Sequence, residues 1–232
     1  MVSIQQVQDL VHLCGGTLIA PDLVLTIGAC VHPLGANGLA VRIHGYRLDQ
    51  PLLDSELVAV SEIKNVSPSG LALLVLANPS GHAPVMLNED PALPVVVGEL
   101  ETQPLLTMGW GTTVSGLDFP STVLQQVSMV GLTNDNCVNL TQSGNRGTYT
   151  DILTDDLLCA LNDVQGPCTG DEGTCLATNQ DCVCLCVLCT RKNIKLTLST
   201  PILVCCCCCC CCCCCFGRWS LDYGGWNERS NP

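Results

Sequence analysis

HLCGGTLIAPDLVLTIGAC, residues 12–30, is the stretch whose reading decides the fold. Two cysteines, Cys14 and Cys30, bracket two short β-type runs, Thr17-Leu18-Ile19 and Val24-Leu25-Thr26. Between the runs, Ala20-Pro21-Asp22 reads as a turn, because Pro presets φ and Asp bonds nearby backbone. Gly15-Gly16 lets two backbones approach closely. A disulfide between the ends would staple a tight hairpin-like unit, as small secreted domains often do.

Outward from this unit the chain continues as short strands. Residues 1–8 alternate weakly and suit an edge strand entering the hairpin. Residues 39–46 (LAVRIHGY) alternate apolar and polar residues as a half-buried strand does, and Leu57 to Val60 forms another. Residues 71–76 (LALLVL) are a continuous apolar run of strand length. A Pro- and Gly-rich crossing covers residues 79–100, within which Val95-Val96-Val97-Gly98 is too short to assign. Beyond it, residues 105–113 (LLTMGWGTT) and the alternating residues 124–132 (LQQVSMVGL) read as further strands. The expected class is all-β.

The bulk composition narrows the function. In 232 residues there are 9 Lys and Arg against 21 Asp and Glu, a formal net charge of −12, so no electrostatic footprint for nucleic acid or an anionic membrane exists. Cysteine is concentrated at one end: 11 of the 21 form an unbroken run, Cys205 to Cys215. Of the remaining ten, the first five are widely spaced, like a disulfide framework. Two glycosylation sequons, starting at Asn65 and Asn139, fit a secretory route. The amino-terminal MVSIQQVQDL lacks the charged and apolar regions of a signal peptide.

Taken in order, these segments resemble the trypsin/chymotrypsin-like serine proteases, whose first barrel carries CGG-[ST]-LI-x(3)-W-VLTAAHC. The resemblance implies two six-stranded antiparallel Greek-key barrels. The first is expected over residues 1–80 and an incomplete second over residues 104–176, together a domain of residues 1–176. The family's D-[IL]-ALL-x-L strand corresponds to residues 70–76, its GWG strand to the segment around Trp110, and its D-S-C-x-GDSGGPL loop to residues 166–176. The resemblance also implies a disulfide between Cys137 and Cys159. It places Cys168 as a further disulfide candidate whose family partner sits in an SWG-x-GC segment not matched here; Cys168 and Cys175 could instead pair with each other or with Cys182.

The same alignment strips the chain of the family's chemistry. Ala29 stands where the catalytic histidine is expected, Gly70 at the orienting aspartate, Glu172 at the nucleophilic serine and Gly166 at the base of the specificity pocket. Asp171 matches the aspartate that, in active members, pairs with a new N-terminal ammonium, and here it needs another partner. Serine-protease chemistry requires a base, a carboxylate to orient it and donors for the oxyanion, so none of its three side chains is expected here. His12, His32, His44 and His82 read as satisfied or surface histidines. Asp171 and Glu172 are adjacent on a tight loop and are expected to point apart rather than to work as a carboxylate pair. Cys168, Cys175 and Cys182 match no metal-ligand spacing; neither a metal nor a cofactor is expected.

After Leu176 the resemblance stops. Residues 177–232 are expected to be a low-complexity, Cys-rich tail outside the fold: disordered, or an artefact of the gene model. The Cys-Val alternation is what a TG repeat encodes, and the poly-Cys run what a TGT repeat encodes. Residues 202–216 are too short an apolar run to span a bilayer. Two functions follow as expectations. One is a secreted, non-catalytic homologue that binds a protein partner, such as a secreted hydrolase, in the manner of the glucanase-inhibitor proteins of plant pathogens. The other is a decayed gene product without a function of its own.

Overall fold

A barrel closes when the first strand finds a partner on both of its edges, and here β1 (Val2–Gln6) does so. It pairs antiparallel with β2 (His12–Ala20) on one side and with β4 (Leu39–Ile43) on the other. The remaining strands, β3 (Leu23–Ile27), β5 (Glu56–Asn65) and β6 (Leu71–Leu76), complete a closed six-stranded antiparallel barrel in the order β1-β2-β3-β6-β5-β4. This is a computed structural model, and it describes residues 1–52, 55–65, 71–87, 104–114, 119–138, 158–162, 165–177, 182–183, 186–188 and 203–206. The expectation of an edge strand at residues 1–8 is corrected. Closure leaves the barrel without edges, and Val2 and Ile4 lie at its core, fully buried.

The turn at Pro21-Asp22 falls where the sequence places it, with Ala20 paired to Leu23. Alternation then sorts the side chains. Along β6, Ala72, Leu74 and Leu76 are buried while Leu71, Leu73 and Val75 are only partly covered. Their buried set meets Val2, Ile4, Leu18, Val24, Leu39, Val41, Ile43 and Val60 in one core. Register breaks at Ile4/Gln5, Leu18/Ala20 and Val60/Glu62 supply the bends a small barrel needs at its corners. A four-residue helix α1 (Gly28–Val31), which the strand-only reading did not contain, follows β3 and carries Cys30 back to Cys14. The two are joined in a disulfide with Cα atoms 6.0 Å apart.

The second unit is built on β7 (Pro104–Gly109), β8 (Gln125–Leu132) and β9 (Leu158–Leu161). Between β8 and β9 a short helix α2 (Asn134–Val138) positions Cys137, whose disulfide to Cys159 spans 22 residues. The structure extends past the expected limit at residue 176. After β10 (Leu176–Ala177) come β11 (Cys182–Val183), β12 (Cys186–Leu188) and β13 (Leu203–Cys206). Among the described residues they form a seven-stranded sheet in the order β11-β10-β7-β8-β9-β13-β12. Residues 182–183, 186–188 and 203–206 of the Cys-rich tail are paired as short strands. Its Cys-Val alternation has β character, and β13 pairs parallel with β9, whose other edge is taken by β8.

The two units meet across the outer faces of β1 and β2, where buried polar residues (Ser3, Gln5, His12, Thr17) replace solvent-facing ones. A second seam runs along the segment after β4. Arg42 donates to the Leu48 and Gln50 carbonyls at 3.0 and 2.9 Å, and Leu48 N–H in turn donates to Thr122 at 2.7 Å.

The core ranking yields a test. Leu74→Ala, at a fully buried position, should lower the unfolding free energy by about 2–5 kcal/mol, read as a lower urea midpoint at unchanged slope. Leu73→Ala, partly covered on the other face of the same strand, should cost clearly less. Equal losses at the two positions would contradict the assigned register.

Candidate active site

The loop Cys168–Thr174 is the centre of the site, and one carboxyl holds it. Asp171 is completely buried. Its Oδ1 accepts the Gly111 N–H at 2.7 Å and its Oδ2 the Cys168 N–H at 2.8 Å. The partner that the sequence left open is thus a pair of backbone amides, one on each side of the cleft between strand and loop. Burial pushes the carboxyl up to about 8; the two amide bonds pull it down, and the nearby charge of Glu172 pushes it further up. The glycines around Trp110 are a steric requirement of this arrangement. A Cβ built on Gly109 or on Gly111 would run into the Asp171 carboxyl.

His12 is the second buried polar group. Its Nε2 lies 2.8 Å from the Gly170 carbonyl and its Nδ1 2.8 Å from Ser3 Oγ. A carbonyl oxygen only accepts, so Nε2 carries the proton and Nδ1 accepts from the serine hydroxyl. The ring leans on Trp110 with centroids 5.7 Å apart, and Trp110 Nε1 donates to the Tyr46 carbonyl at 3.3 Å. Burial lowers His12 to about 4, with the Gly170 bond opposing. The expected satisfied histidine is therefore observed, at a place the sequence reading did not connect with the site. The available signal was its position two residues before Cys14 in the quoted unit.

The expected site positions fall around the same corner. Ala29 is exposed on α1, next to Cys30. Glu172 is half-buried, and its carbonyl accepts the N–H of Gly15, the residue after Cys14. The Cys14–Cys30 bridge thus brings the backbones around Ala29 and Glu172 to one end of the first barrel. Gly70 lies outside the described residues; its neighbour Leu71 pairs with Ile27, two residues before Ala29. Gly166 is buried at the start of the segment leading into the loop. Gly173, at φ +81°, packs so closely on Thr26 and Gly15 that a side chain there would meet the Thr26 hydroxyl and the Gly15 carbonyl.

Asp171 and Glu172 do point apart. Asp171 faces inward, whereas Glu172 Oε2 folds back to accept the Gly170 N–H at 2.7 Å. Cys168 sits at the head of the loop, where its sulfur accepts the Thr112 hydroxyl at 2.9 Å. Asn65 ends β5, and Asn139 lies outside the described residues. Among the described residues no helix is long and apolar enough to cross a membrane.

A closed antiparallel barrel, a Cys-stapled corner and a glycine-rich loop anchored by a buried aspartate define a chymotrypsin-type scaffold. The Trypsin family profile matches residues 1–193, and the chain belongs to that family as a trypsin-like serine protease domain. It is 31% identical over 175 residues to a mouse tryptase, which covers 70% of this chain and 62% of the relative. Trypsin Blo t 3 of Blomia tropicalis is 28% identical over 180 residues, covering 72% of this chain and 64% of the relative. The serine proteinase stubble of Drosophila melanogaster is 30% identical over 186 residues, but these span only 22% of its length.

The buried pair sets an acid–base signature. His12, lowered from 6.5 to about 4, favours folding fully above pH 6.5 and loses that contribution as pH falls toward 4. Asp171, raised from 3.8 to about 8, contributes fully below 3.8 and loses its share as pH rises toward 8. The two oppose each other between pH 4 and 6.5, so a variant separates them. The stability of the wild type over His12→Gln should shrink by about 3 kcal/mol between pH 6.5 and 4, measured by urea unfolding at each pH. A difference that stays flat with pH would contradict the buried neutral imidazole.

Proposed function

We propose that this domain is a non-catalytic serine protease homologue, spanning residues 1–176, that acts as a secreted protein-binding or inhibitor-type module. The observation that carries the reading is Glu172. In the GD-x-G frame of residues 170–173 it takes the place of the nucleophilic serine, and its carboxylate accepts the Gly170 N–H of its own loop. Ala29 and Gly70, at the other two triad positions, supply neither a general base nor a carboxylate to orient one. Loss of a whole triad lowers turnover on the order of a millionfold in such enzymes. Gly166 at the pocket base likewise removes a charge with which a basic side chain could pair.

The chain spans under two thirds of the mouse tryptase and of the mite trypsin, so any activity of a longer protein is part of this proposal. The trypsin relatives and the sequons at Asn65 and Asn139 support an extracellular location. The old substrate cleft and its loops offer a surface for a polypeptide partner. A secreted hydrolase suits that role, by the likeness to glucanase-inhibitor proteins. No cofactor is invoked.

Purified full-length chain should leave a panel of fluorogenic peptides with Arg, Phe or Ala before the scissile bond uncleaved. It should also form a stoichiometric complex with a polypeptide partner in a secreted-protein mixture. Cleavage that a serine-directed inhibitor abolishes would sink the reading.

One feature favours a second reading, that of a decayed gene product. The run Cys205–Cys215 places eleven thiols side by side, a hazard for any protein in an oxidising compartment. A soluble monomer with a single cooperative unfolding transition would argue against decay.

A further inference from the structure

Two of the four histidines come together at one corner of the first barrel, away from the loop Cys168–Thr174. Taken singly, each reads in the sequence as a satisfied or surface residue. His44 follows directly on β4 and is exposed, in the left-handed region at φ +60°. His82 is half-buried in the crossing that follows β6. Their rings stack with centroids 4.6 Å apart and planes inclined by 20°. A left-handed backbone is unfavourable for a residue with a side chain, so the contact is held against a local cost. The crossing is fixed where it carries His82. Ala77 N–H donates to the Ala59 carbonyl at 2.9 Å, Ser80 N–H to the Pro21 carbonyl at 2.7 Å and Val85 N–H to the Leu18 carbonyl at 3.0 Å. His82 N–H donates to Ser80 Oγ at 3.1 Å. Glu56, paired across the strands with Ile43, the residue before His44, accepts the Gly81 N–H with both oxygens, at 3.0 and 3.3 Å. The Ser80 hydroxyl, the Gly81 N–H and the nearby His82 hold the Glu56 carboxyl below its ordinary range, against a desolvation that pushes it up. An ionised carboxylate therefore lies beside the imidazole pair.

Neutral imidazole is the commonest side-chain ligand of borderline divalent metal ions. Zinc bonds an imidazole nitrogen at about 2.0–2.1 Å, so one ion joins two nitrogens no more than about 4 Å apart. Stacked rings with centroids 4.6 Å apart come within that reach by fanning about their side-chain bonds. We propose that His44 and His82 form a two-imidazole site for a borderline divalent metal ion such as zinc, which fastens the crossing to the end of β4. One nitrogen of each ring suffices, and the other is left for a hydrogen bond that orients the ring. Glu56 holds the Gly81 peptide and adds negative charge beside the ion. Among the described residues no three His, Cys, Asp or Glu side chains converge as a metal cage, so water completes the coordination. The formal net charge of −12 further favours a cation over an anion at such a place.

The test follows the imidazole rings of the 15N-labelled full-length chain by NMR. Free zinc is set by a chelator buffer, so that zinc held by the thiols does not alter it. In the wild type the His44 and His82 rings should shift together with one midpoint, while the buried His12 ring stays in place and reports an intact fold. The exposed His32 is the reference for adventitious binding to a lone imidazole, and its midpoint should lie about tenfold or more higher. His44→Asn, a residue that tolerates the left-handed backbone, should raise the His82 midpoint about tenfold or more. His82→Ala should do the same to His44. The proposal is overturned if neither ring moves, if the two move with separate midpoints, or if they move only at the zinc concentration that shifts His32. It is equally overturned if His44→Asn leaves the His82 midpoint unchanged with His12 undisturbed. Should His44→Asn disturb His12, the His82→Ala variant decides by the same criterion.

Discussion

The buried carboxyl of Asp171 is the constraint on which the rest of the site depends. It ties an amide two residues past β7, Gly111, to an amide at the head of the loop, Cys168. A carboxyl with no cation beside it is expensive to bury, and the amides meet that cost only if both come close. Gly109 and Gly111 allow the approach by having no side chain to collide with the carboxyl. With the loop pinned there, Gly170 is delivered to His12, Gly173 to Thr26, and the Glu172 carbonyl to Gly15. Each of these contacts reaches onto the first barrel, so a single buried group organises the junction between the two units.

What the junction lacks is as physical as what it holds. In a hydrolase of this fold the loop amides wait for charge that develops on a substrate oxygen. Here an anionic side chain is already placed on one of them. A negative group at that point opposes any second negative charge nearby and also fills the donor. The adjacent corner carries Ala29, exposed on α1, which the proposed reading places where a base would be needed. This bonded arrangement is what supports the non-catalytic reading proposed above.

Much of this was legible before any coordinates. The alternation in residues 124–132 reports a strand with one buried face, because side chains of a strand switch sides at each residue, and the unbroken apolar run at residues 71–76 has the length of a buried strand. Cys14 and Cys30 flank two strands and a two-residue turn, and short loops of this kind admit few geometries. The long-range bonds were not legible. His12 and Gly170 are 158 positions apart, and nothing local to either announces the other. Closure of β1 onto β4 likewise depends on tertiary pairing rather than on the weak alternation of residues 1–8. The short strands at residues 182–183, 186–188 and 203–206 lie in a stretch whose repetitive composition carries no turn signals to mark them in the sequence. Apolar, alternating segments nonetheless meet the one requirement of a sheet edge, a backbone that can donate and accept.

The most direct measurement is intact-mass analysis of the purified chain after incubation with a fluorophosphonate, which forms a covalent adduct only with an activated serine. The mass should stay unchanged, since residue 172 offers a carboxylate already bonded to the Gly170 amide. A single adduct that maps to a serine or threonine lining the corner of Ala29 and Glu172 would contradict it.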